Sequence, residues 1–163
     1  MSQAKAIPER SQIAPEFTWN TADLYPTDQA WQEDFSRLQA MVPKLAAYAG
    51  RLGENADTLY AYVTLEQEAG ELLVKLMDYA QRRSDEDTRV PQYQAMVGKI
   101  TSQYVALSQA VSFEIPEVLR IPTETLERFY GEKPELELYR RYFAIIQDRR
   151  EHTLSDSEEK LLA

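Results

Sequence analysis

The groups in this chain best suited to metal or proton-transfer chemistry are one histidine and 27 acidic side chains, since no cysteine occurs. His152 is flanked by Arg150, Glu151, Thr153 and Leu154, so neither HExxH nor ExxH can be built around it. A zinc site takes three or four ligands, drawn mostly from histidine and cysteine, and this sequence cannot supply them. His152 reads instead as a turn residue that caps or packs locally. The run Asp85, Glu86, Asp87 alternates two aspartates as calcium loops do, but the downstream glycine and bidentate glutamate are missing. It reads as a solvated loop. Paired carboxylates on one helical face would serve general acid–base work, yet Glu66 meets Gly70 one turn further on, where the second acid would have to sit. Glu68 with Glu71, and Glu124 with Glu127, are accounted for by the solvated outside of a helix. No glycine-rich phosphate loop and no GxSxG elbow occurs. No catalytic, cofactor-binding or metal residue is therefore assigned to this chain, and by itself it is expected neither to bind zinc nor to hydrolyse peptides.

The totals narrow the partners. With 27 acidic against 18 basic residues, the net charge of −9 repels nucleic acid and anionic membrane surfaces. No apolar run is long enough to span a bilayer, and the opening residues lack the apolar core of a signal peptide. The expectation is a protein of the cytoplasm with no nucleic-acid or membrane partner. At 163 residues and 44% apolar content, one ordinary domain with a real core is affordable.

Helical periodicity organises the rest. Residues 1–18 hold Pro8 and Pro15 and no periodic pattern, which reads as a flexible N-terminal tail. Trp31, Phe35, Leu38, Val42, Leu45, Ala49 and Leu52 then step by four and three, the mark of one buried helical face, with Thr27 as N-cap. Pro43 predicts a kink or break near Met41 or Val42. Gly50 and Gly53 end this helix. Asn55 or Asp57 caps a second, with Leu59, Tyr62, Val63, Ala69, Leu72, Leu73, Leu76 and Ala80 inward, running to about Arg83. After a polar link over Ser84 to Thr88, a third follows with Val90, Tyr93, Val97, Ile100, Tyr104, Leu107 and Val111 on one face. So short a link makes the second and third helices antiparallel. Pro116 and Pro122 predict a bent connection holding a single turn, Thr123 opens a short helix ending at Gly131, and Pro134 opens a fifth. In that fifth helix Leu138, Tyr142 and Ile145 are expected inward, with Arg149 and Arg150 at its end. The ten tyrosines fall on or beside these stripes, with hydroxyls at a wet edge. The fold class is all-α: an antiparallel bundle of long helices followed by shorter ones.

Ser155 followed by Glu158 is a capping box with acidic neighbours, a signal that a helix begins. Only Leu161 and Leu162 follow as apolar payload before Ala163, so the expectation is a helix that continues beyond the chain. Self-association of the chain through the apolar area left uncovered is expected with it.

Four stretches carry a resemblance: WNTADLYPTDQAW at 19–31, YAQRRSDEDTRVPQYQ at 79–94, FEIPEVL at 113–119 and HTLSDSEEKLLA at 152–163. In this order and spacing they resemble the N-terminal region of oligoendopeptidase F, a zinc metallopeptidase of the M3 type. The resemblance implies the front segment of a larger all-helical peptidase that cleaves short unfolded peptides, with zinc held by an HExxH helix outside this sequence. It also implies a helical wall beside a substrate channel, with the remainder of the catalytic domain as partner. The organisation that follows is a tail at 1–18, a helical N-terminal domain at 19–150, and at 151–163 the start of a helix leading into the catalytic region. The rival is a freestanding helical interaction or dimerisation module.

Overall fold

The computed structural model describes residues 8–149. The helix opened by Ser155 and Glu158, the turn at His152, the cation Arg150 and the first residues of the expected tail lie outside the described residues. Among those described, every regular element is helical: α1 Asp28–Ala46, α2 Ala56–Glu86, α3 Pro91–Ala110, α4 Glu114–Arg120, α5 Thr123–Glu132 and α6 Arg140–Gln147. Short 3₁₀ turns occupy Arg10–Gln12, Pro15–Phe17, Thr21–Asp23 and Pro134–Tyr139.

The starts follow the local chemistry. Thr27 Oγ1 accepts from the Ala30 amide at 3.1 Å and Asn55 Oδ1 from the Thr58 amide at 2.8 Å, each satisfying an N–H that its helix leaves open. The ends differ from expectation in two places. Pro43 does not break α1, which continues to Ala46. It sits in the last turn and removes only its own bond, while the Ala47 amide still reaches the Pro43 carbonyl at 3.2 Å. Leu52, the last residue of the predicted stripe, is fully buried from the loop beyond the helix. α2 runs on to Glu86, because the Glu86 carboxylate takes Arg83 at 2.9 Å and Arg10 at 3.0 Å and so holds the final turn.

The chain forms two compact units, residues 1–41 with 68–107 and residues 42–67 with 108–163. In the first, α1 and α2 run antiparallel: Tyr79 Oη donates to Asp28 at 2.7 Å, Trp31 Nε1 to the Leu76 carbonyl at 2.9 Å, and Arg37 pairs with Glu68 at 3.7 Å. Trp31, Leu38, Leu76 and Ile100 are its fully buried centre. α3 keeps Ile100 and Leu107 inward as expected, but Tyr104 is half exposed while Met96 and Gln103 are buried. The register of that face is rotated by about one residue from the predicted one.

In the second unit Leu45, Leu59, Tyr62, Val118, Phe129, Leu136 and Phe143 are buried together. The segment around Pro116 is a two-turn helix, since a proline in the first helical turn costs no hydrogen bond. The expected fifth helix opens as a 3₁₀ stretch and becomes α-helical only at Arg140. Three residues per turn instead of 3.6 shifts the phase of everything downstream. Leu136, Phe143 and Ile146 therefore point inward, and the predicted set of Leu138, Tyr142 and Ile145 is exposed, Leu138 by 85%.

Candidate functional site

The most unusual chemistry among the described residues is a buried carboxyl in the second unit. Glu114 opens α4, where acidic side chains suit the positive end of the helix, yet it is only 6% exposed. Tyr142 of α6 donates to its Oε1 at 2.7 Å. From α2 come Tyr62 and Glu66, one turn apart and therefore on the same face. The Tyr62 ring stands 5.5 Å from that of Phe113, the residue before Glu114, and 5.6 Å from that of Tyr48. Tyr62 is fully buried, and its hydroxyl lies against the Glu114 carboxylate, whose charge it feels.

Glu66 and Glu114 are thus two acids brought together from separate helices. Burial raises the pKa of Glu66 above the ordinary carboxylate value, and the charge of Glu114 raises it further. Burial also raises Glu114, opposed by hydrogen bonds from Tyr142 and Tyr62. Both tyrosines are pushed up, by burial first and then by the neighbouring Glu114 carboxylate. Such a pair favours holding a proton or meeting a cation. Sequence reasoning missed it because it looked for the partner of Glu66 on the same helix, at Gly70, whereas the partner arrives from α4. The signal was faint: an acid beside an aromatic residue in FEIPEVL.

The other acids singled out earlier are placed differently. Asp85 accepts from Gln81 at 2.8 Å, Glu86 is held by Arg10 and Arg83, and Asp87 binds Arg89, whose guanidinium lowers its pKa to about 2. Each thus has its own partner, and they face no common point. Glu68 pairs with Arg37, and Glu127 with Arg140. Among the described residues no group of three or more His, Cys, Asp or Glu is placed to hold a metal ion. His152 lies outside them. Several tyrosine hydroxyls do sit against acids or amides, Tyr25 on Asp34 and Tyr139 on Gln67 among them.

A second polar feature fixes the loop between α1 and α2. The Glu117 carboxylate accepts from the amides of Gly50 and, at 3.2 Å, Leu52. Gly50 has φ of 82°, the left-handed region that glycine enters without steric cost.

A family model described as Oligopeptidase F matches residues 117–163. Oligopeptidase PepF of Bacillus subtilis is 37% identical over 161 residues, covering 99% of this chain and 24% of that protein. The chain belongs to the oligoendopeptidase F family. Group B oligopeptidase PepB of Streptococcus agalactiae is 30% identical, over 94% of this chain and 26% of its own length. The crystal structure of oligoendopeptidase-F from Enterococcus faecium superimposes with a TM-score of 0.69 at 29% identity, over 83% of this chain and 26% of that one. The chain thus spans about a quarter of the oligoendopeptidase F relatives it matches, and corresponds to their N-terminal helical region.

Proposed function

We propose that this chain is the non-catalytic N-terminal portion of a zinc-dependent oligoendopeptidase, acting in the cytoplasm on short unfolded peptides as part of the wall of the substrate channel. Within it, residues 19–150 act as the helical domain and residues 151–163 lead into the catalytic region. The observation that carries this reading is the outer face of α6. Tyr142 and Ile145 of α6, with Leu138 of the 3₁₀ stretch that leads into it, are large apolar side chains left exposed. A patch of that kind in a chain a quarter the length of its relatives is a surface made to be covered by the remainder.

The described residues do not fit zinc themselves. Among the described residues no three potential ligands come together, and the family resemblance places the metal and its activated water outside this sequence. This chain would bind and shape, limiting which peptides enter.

The test is a chimera in which this chain replaces the matching quarter of Bacillus subtilis PepF. It should cleave a short fluorogenic peptide, and its α6 amides should exchange more slowly than in the chain alone. A folded chimera whose α6 exchanges as in the free chain would overturn the reading and favour a freestanding interaction module.

A further inference from the structure

The outside of α3 is built unlike a helix face that ends in water. Of its 20 residues only Lys99 is charged, in a sequence where 28% of residues are. Met96, Ile100, Gln103 and Leu107 form its buried side. On the opposite side Ala95, Gly98, Ser102 and Val105 are all exposed, at steps of three, four and three. Tyr104 beside them is 51% exposed and Val105 48%. A solvated face ordinarily carries charged side chains, as α2 does with Glu68 and Glu71. Gly98 adds an independent observation. Glycine inside a helix weakens it relative to alanine, and a Cβ at this position would meet nothing within 4 Å, so no contact within the chain calls for its absence. Close approach by a backbone from outside would.

We propose that the face of α3 from Ala95 to Val105 is the seat of one helix from the catalytic remainder of the parent peptidase. The inference rests on the reading above that this chain is an N-terminal portion, but it concerns a different face, in the first compact unit and not the second. The chain covers 24% of Bacillus subtilis PepF, so most of that protein lies outside the match and has the length to supply such a helix. Steps of three and four are those of a helix seam, along which a partner helix inserts its side chains between those of the first. The short side chains of Ala95, Gly98 and Ser102 let two helix axes come close, so the partner must fill the contact with long apolar residues such as leucine, isoleucine or phenylalanine. With no carboxylate on α3 to pair with, a basic partner helix would leave its charges uncompensated.

Amide exchange in the chimera with Bacillus subtilis PepF, compared with the chain alone, reads the seat directly. The α3 amides from Ala95 to Val105 should exchange about tenfold more slowly in the chimera. G98L fills the open space over α3, and V105E puts a carboxylate into it. In the chain alone G98L should melt no lower than the parent, because leucine favours the helix, and V105E within about 2 °C of it, because the position is half exposed. In the chimera each substitution should return α3 exchange to the rate of the free chain and slow peptide cleavage. A chimera whose α3 exchanges as in the free chain, or keeps its protection with both substitutions, would overturn the seat. Protection at α6 without protection at α3 sinks this inference and leaves the N-terminal reading intact, whereas protection at neither sinks the reading as well. Exchange at α3 that slows as the concentration of the chain alone is raised would give the face to a second copy, which also overturns the proposal.

Discussion

Trp31 donates its indole N–H to the main-chain carbonyl of Leu76 over 2.9 Å, joining the first turn of α1 to the middle of α2 across 45 residues of sequence. The ring is 1% exposed and stacks on Phe35 with centroids 5.1 Å apart. Replacing it with phenylalanine keeps an aromatic there but removes the donor and leaves a gap. W31F should cost roughly 1–3 kcal/mol, read from the denaturant midpoint.

Leu73 and Ile100 are both buried in the first unit. L73A and I100A should each cost about 2–5 kcal/mol, whereas Y104A, at a position 51% exposed, should cost under about 0.5 kcal/mol. Equal losses at all three positions would show that the face of α3 is turned the other way.

Glu66 and Glu114 have pKa values raised above the ordinary 4.5, so the folded chain holds their protons more tightly than the unfolded chain. Their contribution is fully present below that ordinary value and is lost as pH rises through the raised ones. E66Q should therefore be more stable than the parent at neutral pH, with the advantage shrinking as pH falls toward 4.5. Asp87 and Glu9, both lowered by Arg89, change in the opposite sense but equally in both proteins, so the difference isolates the pair. Urea midpoints of the two proteins across that range are the measurement.

Leu138 and Ile145 are exposed by 85% and 48%. Aspartate at both should alter the stability of the isolated chain by no more than about 0.5 kcal/mol, while suppressing its self-association at high concentration. Sedimentation velocity across a concentration series separates this from a chain that is monomeric throughout.

A Cβ on Gly50 would meet nothing within 4 Å, yet its φ of 82° is one that alanine resists. G50A should cost about 1 kcal/mol from backbone strain alone. Thermal melts should show it without any loss of helical signal.

The caps, the α2 stripe and the helix-only class were legible because they depend on neighbours within a turn or two. Thr27, Asn55 and the eight α2 residues from Leu59 to Ala80 are where periodicity puts them. Two kinds of information were not local. The inward face after Pro134 depends on a 3₁₀ stretch whose phase no 3.6-residue template carries. The Glu66–Glu114 pair depends on where α4 returns to α2, which is set by the fold and not by spacing along either helix. Pro43 removes one bond of α1 without ending it, and the helix runs on to Ala46.

The boundary between the two compact units falls inside helices each time the chain crosses it, at 41/42 in α1, 67/68 in α2 and 107/108 in α3. No single scission of the backbone can release either unit, because each is made of two stretches separated by part of the other. The smallest piece that recombination could move between genes with its fold intact is the whole interleaved region, and a gene fusion or split-protein tag placed in it must sit in a loop such as 47–55 or 87–90, never at the seam.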